Sequence, residues 1–244
     1  MIRARAEAKD PIVDFRRAEW MWISGRRKAA AQQMGAFALT AENGPLREIA
    51  SRAYSEMSVW SVLAGDREMS AKLAQKAISL AGPTSAVNAL VARFLSQPPA
   101  TADEWTLRAQ QQFPGPAAVA VRDLSLAYAL LINRQFPAAQ AVLRRIWTSG
   151  VQSADEGLPV LLAWTDLETG NLGEADELLR LNPVPPNTAL TPYSTFYIPR
   201  LLYLRGLLAE KQGRRDDARG WYDKFLALSG PTPLIWGEEK KVRQ

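Results

Sequence analysis

Apolar residues recur at helical spacing along the chain, most clearly near its carboxyl end. Leu204 and Leu208 fall on one face of a predicted helix, and Trp221 and Phe225 fall on one face of the next. Gly213 lies between the two segments, where a helix is expected to end because glycine tolerates a positive φ. The pattern predicts two antiparallel helices joined at this glycine.

Similar pairs of amphipathic segments follow one another through the sequence, with proline and glycine in the gaps between them. A helix-ending residue lies inside most pairs, at Gly25, Gly65, Asn133-Arg134, Gly170 and Gly213. In the fourth hairpin Asn133 is expected to replace glycine. The pattern predicts hairpins over about 11–41, 45–81, 84–113, 116–149, 154–181 and 199–229, followed by a capping helix or frayed tail over 234–244.

Stacking of these hairpins predicts the fold class. A single hairpin cannot bury its apolar face alone, whereas stacked neighbours can. Alanine and leucine are abundant and β-branched runs are scarce, which favours helix throughout. Apolar residues make up 47% of the chain and charged residues 23%, as is usual for a folded protein. We predict an all-α solenoid of about six hairpins that forms a single domain over 1–244.

The composition excludes most catalytic chemistry. The chain has neither cysteine nor histidine, so it lacks a thiolate nucleophile, the commonest general base and the usual zinc ligands. No phosphate-binding loop or dinucleotide motif is present. The acidic pairs Asp216-Asp217 and Glu238-Glu239 are expected to be exposed on helix surfaces. We expect no cofactor, no metal and no enzymatic activity, with a carboxylate-dependent enzyme kept as a weak alternative.

Charge and hydropathy narrow the choice of partner. The formal net charge is +5, but the basic clusters, such as Arg144-Arg145 and Lys240-Lys241, are short and dispersed. This predicts no nucleic-acid partner and gives mild support to an acidic one. No stretch approaches the apolar length of a membrane span, and the amino terminus lacks an apolar signal core. The compartment stays open, with the cytoplasm slightly favoured and an extracytoplasmic location possible beside a membrane anchor.

The positions of the small and aromatic residues resemble the tetratricopeptide repeat. The sixth hairpin carries Gly206, Gly213, Ala218 and Tyr222 where that family places a small crossing residue, a turn glycine, an early alanine and an aromatic. Degenerate copies in other hairpins are Ala18, Gly25, Ala30 and Met34; Ser58, Gly65 and Ala77; Ala127, Ala139 and Leu143; and Ala163, Gly170, Ala175 and Leu179. The resemblance implies a right-handed superhelix.

The same resemblance implies a concave groove lined by the first helix of each hairpin, with a protein or peptide partner. The positions of this chain that it places on the groove are Phe15, Glu19, Trp22, Arg52, Ser55, Tyr128, Trp164, Arg200, Tyr203 and Glu210. Aromatic residues beside arginine suit an extended peptide. The leading interpretation is a non-catalytic interaction scaffold that binds a peptide or a partner helix. The oligomeric state stays open.

A second resemblance is to the helical-repeat regions appended to bacterial serine/threonine kinases and regulators. It depends on a basic turn after the Trp-rich first helix, the Gln-Gln-Phe-Pro at 111–114 and the Leu-Arg-Gly-Leu at 204–207. This resemblance implies the alternative function of a ligand-sensing regulatory domain in a signalling protein.

Overall fold

The structure, a computed structural model, describes residues 12–98, 101–149, 157–182, 199–231 and 233–243. These residues form thirteen α-helices and a 3₁₀ turn, with no strand among them. The α-helices are α1 (Ile12–Ile23), α2 (Arg27–Ala41), α3 (Arg47–Leu63), α4 (Arg67–Leu80), α5 (Ala86–Ser96), α6 (Ala102–Gln112), α7 (Val119–Ile132), α8 (Phe136–Thr148), α9 (Leu158–Thr169), α10 (Leu172–Leu181), α11 (Arg200–Lys211), α12 (Arg215–Ser229) and α13 (Glu238–Val242). The predicted all-α class is confirmed. Among these helices none is long and apolar enough to cross a membrane.

The chain divides into two compact units where the sequence predicts one domain. Unit 1 comprises Met1–Gln97 and Leu228–Ile235, and unit 2 comprises Pro98–Ala227 and Trp236–Gln244. In unit 1, α1 packs on α2, α2 on α3, α3 on α4, and α5 on both α3 and α4. In unit 2, α6 packs on α7, α7 on α8, α8 on α9, α9 on α10, and α11 on both α9 and α10. Neighbouring antiparallel pairs therefore stack as in a helical-repeat solenoid.

The third predicted hairpin differs from the others because its two helices fall in different units. Helix α5 belongs to unit 1 and α6 to unit 2. Thr101 caps α6, since its hydroxyl accepts a hydrogen bond from the amide of Glu104 at 3.2 Å. The predicted hairpin limits at 11 and 154 lie outside the described residues.

Within the described residues, five hairpins close with the same turn, in which one residue has a positive φ. At the second turn, the amide of Gly65 donates to Val62 O at 3.0 Å and the amide of Asp66 donates to Ser61 O at 2.8 Å. This is the Schellman pattern, which satisfies the last carbonyls of the first helix. The residues with positive φ are Gly25 (78°), Gly65 (87°), Arg134 (58°), Gly170 (91°) and Gly213 (76°).

In the turn of the fourth hairpin, the prediction that Asn133 takes the left-handed conformation is wrong. Asn133 has φ −92°, and Arg134 has the positive φ instead. A non-glycine residue in this conformation costs about 1 kcal/mol. Arg134 offsets part of that cost because its Nη2 donates to Trp236 O at 2.8 Å. The position within the hairpin, and not the residue type, therefore fixes this turn.

Small residues lie where the two helices of these hairpins cross. One occupies the position seven residues before the turn residue and another the position five residues after it, and all of them are buried. The pairs are Ala18 with Ala30, Ser58 with Ser70, Ala127 with Ala139, Ala163 with Ala175, and Gly206 with Ala218. In the second hairpin the structure places Ser70 at this position, for which the sequence interpretation names no residue; it assigns Ala77 to the later small position of the repeat, and Ala77 is also buried. Small side chains let the two backbones approach closely.

In the sixth hairpin, the absence of a side chain at Gly206 leaves room for the large ring of Tyr222. The Tyr222 ring lies against Gly206, so that a Cβ at this position would meet the ring carbons Cδ1 and Cε1. The fourth and fifth hairpins have alanine in place of Gly206, and there the residue corresponding to Tyr222 is Leu143 or Leu179. The two positions therefore compensate for each other in size.

We expect the substitution Gly206→Ala to lower the free energy of unfolding by about 1–3 kcal/mol, because the Tyr222 ring must move. The double variant Gly206→Ala/Tyr222→Leu should recover most of this loss, since it copies the alanine–leucine pair of the neighbouring hairpins. Urea unfolding followed by circular dichroism measures both. Gly220→Ala is the matched control, because no atom lies near its added Cβ. Equal stability of the two alanine variants would contradict the tight crossing.

Candidate functional site

The side chains predicted to line a groove are mostly inside the protein. Eight of the ten are buried, namely Phe15, Glu19, Trp22, Ser55, Tyr128, Trp164, Arg200 and Tyr203. Of the remaining two, Arg52 is half-buried and Glu210 is exposed. Because these eight side chains are buried, they offer little surface to a partner.

Aromatic packing accounts for several of these buried side chains. In unit 1, the Trp22 ring stacks on the Trp60 ring with the centroids 4.7 Å apart and the planes 6° from parallel. In unit 2, the Tyr203 ring lies 5.4 Å from the Phe225 ring and 5.9 Å from the Tyr222 ring. These contacts join first helices to each other and to second helices, as expected for a core between repeats.

Two carboxyl groups meet inside unit 1. Glu19 on α1 and Glu56 on α3 are 1% and 2% exposed, and their side chains hydrogen-bond to each other. Arg16 Nη1 donates to Glu19 Oε1 at 3.2 Å and to Oε2 at 2.9 Å. Among the described residues, Glu56 Oε2 has no hydrogen-bond partner. A direct bond between two carboxyl groups requires that they share a proton.

Burial governs the ionisation of this pair. It raises the pKa of Glu19 to about 7, against the opposing effect of the Arg16 guanidinium. It also raises the pKa of Glu56 well above its usual value, and the neighbouring Glu19 carboxyl raises it further. Glycoside hydrolysis needs two carboxyl groups at least about 5 Å apart so that a sugar bond fits between them. Because Glu19 and Glu56 contact each other directly, this pair does not suit that chemistry.

A second buried charge pair lies in unit 2. Arg200 Nη1 donates to Glu238 Oε1 at 3.0 Å, and Arg200 Nη2 donates to Glu238 Oε2 at 2.9 Å. The guanidinium carbon of Arg200 also lies 3.7 Å from the ring centre of Trp164 and 3.8 Å from that of Trp236. Arg200 thus holds helix α13 and the preceding Trp236 against the core of unit 2.

The expectation that Glu238 and Glu239 are exposed is wrong. Both are buried, at 7% and 5% exposure, because Arg200 neutralises one of them inside the unit. Burial raises the pKa of Glu238 to about 7, although Arg200 acts in the opposite direction. The sequence interpretation missed Trp236 and Glu238 as partners of Arg200. The sequence offered one weak indication of this contact, the tryptophan followed by two acidic residues at 236–239.

An open groove lies on the surface of unit 1, formed by α1, α2 and the loop before α3. Its volume is about 550 Å³. Phe37, Pro45 and Leu46 provide apolar lining, whereas Asp14 and Arg17 form part of a polar rim. The other lining residues are Gln33, Ala36, Thr40, Ala41 and Gly44. The groove is accessible because several of its residues, including Ala36, Thr40 and Pro45, are exposed.

The sequence interpretation did not select these groove residues. It treated the segment Asn43-Gly44-Pro45 only as a gap between two hairpins. Such a segment separates the ends of neighbouring helices and so leaves space for a groove. The apolar Leu46 beside it could have indicated that the groove has an apolar lining.

Comparison with known proteins assigns the chain to no family. No protein-family model matches the chain, and no curated protein matches it. Within the described residues, no cluster of three or more acidic side chains is arranged to hold a metal ion. The function is therefore inferred from the geometry of the chain itself.

Proposed function

We propose that the chain is a non-catalytic interaction scaffold of tetratricopeptide-like hairpins, and that the groove of unit 1 binds a short peptide segment of another protein. The observation that carries the proposal is the groove itself, an open apolar depression with a polar rim. Its volume of about 550 Å³ lies within the range typical of ligand sites.

The chemistry of the groove supports a peptide as the occupant. Pro45 and Leu46 form an apolar surface for an apolar side chain of a partner, with the largely buried Phe37 ring at the base of the groove. Gln33 and Thr40 at the rim carry side-chain donors and acceptors that suit a peptide backbone. Gln33 already donates from Nε2 to Asp14 Oδ1 at 3.2 Å, which holds the rim between α1 and α2. A preformed rim lowers the entropy that binding must overcome.

Selection from a phage-displayed library of random peptides tests this proposal directly. We expect the selected peptides to bind Ala36→Arg about tenfold more weakly or worse, since the arginine fills the groove. Ala31→Arg on the same helix is the matched control, because Ala31 is equally exposed but does not line the groove. Isothermal titration with the synthesised peptides measures the affinities.

The comparison of the two arginine variants decides between groove binding and binding elsewhere. Because both positions are exposed, neither substitution should disturb the core. Peptides that bind Ala36→Arg as tightly as the original chain would contradict the groove as the site. A library that yields no binder at all would contradict the peptide as the occupant.

A further inference from the structure

Unit 2 has a basic pocket that is separate from the groove of unit 1. The pocket measures about 310 Å³ and lies between α10, α11 and the beginning of α12. Its lining consists of Asp176, Leu179, Arg180, Arg205, Leu208, Arg214 and Trp221. Three arginines therefore face one acidic residue.

The three guanidinium groups are held to different degrees. Arg205 Nη2 donates to Leu179 O at 3.2 Å, and its guanidinium carbon lies 4.9 Å from the ring centre of Trp221. Arg214 Nη1 donates to Asp217 Oδ2 at 2.6 Å, and Arg214 Nη2 donates to Gln212 Oε1 at 2.6 Å. Arg205 is thus held at the pocket by its bond to the backbone and by the Trp221 ring, whereas Arg214 takes part in an exposed ion pair. Preorganised donors bind an anion at a lower entropic cost.

The third arginine, Arg180, has hydrogen-bond donors that are available to a ligand. Arg180 is exposed, and within the described part of the chain its guanidinium makes no hydrogen bond or ion pair. A guanidinium has five N–H donors and no acceptor, so it requires an acceptor from a ligand or from water. Arg180 therefore offers a complete fork at the pocket mouth.

The charge balance at the pocket favours an anion. Asp176 lines the pocket and Asp217 is already paired with Arg214, so three arginines stand against two carboxylates. Lys224 adds a further positive charge nearby, with its Nζ 4.4 Å from the ring centre of Trp221. An oxyanion with two negative charges and three acceptor oxygens matches several guanidinium donors better than a carboxylate does.

We propose that this pocket binds a phosphate monoester. The volume of about 310 Å³ accommodates a phosphate with a small organic group, and the apolar lining of Leu179, Leu208 and Trp221 suits that group. Arg180 and Arg205 contact the phosphate oxygens, and Trp221 forms the wall beside them. The site belongs to unit 2 and does not depend on peptide binding in unit 1.

Titration of the full chain with inorganic phosphate and with phenyl phosphate, at constant ionic strength, tests the site. The indole N–H signal of Trp221 in a two-dimensional NMR spectrum is the reporter, assigned with Trp221→Phe. We expect this signal to shift with both probes at millimolar concentrations. Tighter binding of phenyl phosphate would identify an aromatic phosphate as the source, and equal binding would identify the phosphate group alone.

Substitution of the exposed arginine provides the decisive comparison. Arg180→Gln should weaken phosphate binding about tenfold or more, since it removes a charge-assisted contact. Arg219→Gln, an exposed position on α12 that does not line the pocket, should leave the affinity unchanged. The proposal is overturned if Trp221 does not shift, if chloride at the same ionic strength causes the same shift, or if the two variants bind equally.

Discussion

Replacement of Arg200 by methionine is expected to lower the free energy of unfolding by about 3–5 kcal/mol near pH 8. The substitution leaves the carboxylate of Glu238 buried without its partner, and an unpaired buried charge is strongly destabilising. It also removes the guanidinium from its position against Trp164 and Trp236. Urea unfolding followed by circular dichroism measures the loss.

The pH dependence of this loss identifies its cause. Arg200 lowers the pKa of Glu238 in the original chain, so the buried carboxyl of the variant takes up a proton more readily, and the penalty should shrink as the pH falls. The double variant Arg200→Met/Glu238→Gln removes both charges and should recover most of the stability. A loss that is equally large at low pH and in the double variant would instead attribute it to packing.

The exposed pair between Arg214 and Asp217 is the matched control. These side chains are 49% and 55% exposed, and a solvated pair of this kind contributes less than about 1 kcal/mol. Arg214→Met should therefore have a small effect. A similar loss for both arginines would contradict the special role of burial at Arg200.

The contrast between Gly213 and Arg200 indicates how much the sequence can predict. The turn at Gly213 and the crossing at Gly206 follow from local spacing, because both involve residues within one hairpin. Arg200 was assigned to a groove because its repeat position suggested one. Its actual partner, Glu238, lies 38 residues further along the chain, and no local pattern indicates that α13 packs back onto α11.

The buried pair in unit 1 was hidden from the sequence for a related reason. Glu19 and Glu56 lie on different first helices, and acidic residues on an amphipathic helix are ordinarily expected at its exposed face. Only the packing of the two hairpins of unit 1 brings the carboxyl groups together. The groove near Phe37 likewise depends on the separation of helix ends, which apolar periodicity does not specify.

Replacement of Glu56 by glutamine is expected to raise the free energy of unfolding near pH 8 by about 2–3 kcal/mol. In the original chain, burial and the neighbouring Glu19 carboxyl raise the pKa of Glu56 well above its usual value near 4.5, so the folded state holds a proton on Glu56 that the unfolded chain releases. Stability from this proton is complete below about pH 4.5 and is lost progressively as the pH rises toward the pKa of the folded state. Each unit of pKa shift corresponds to about 1.4 kcal/mol.

Glutamine changes this balance because its amide has no proton to release and replaces the Glu56 carboxyl as the donor to Glu19. Arg16 and Arg52 continue to favour the ionised form of Glu19. The part of the stability decrease that Glu56 causes above about pH 4.5 should therefore be absent, and the slope of stability with pH should become shallower. Urea unfolding at several pH values measures the slope.

Two comparisons separate this effect from others of the same sign. Glu238 in unit 2 also has a raised pKa, so it too lowers the stability as the pH rises. The informative quantity is therefore the difference in free energy of unfolding between Glu56→Gln and the original chain at each pH. Glu68→Gln is the control, since that carboxylate is 81% exposed and paired with Lys72 at the surface. If Glu56→Gln is less stable than the original chain near pH 8, or keeps the full slope, the two carboxyl groups do not share a proton in unit 1.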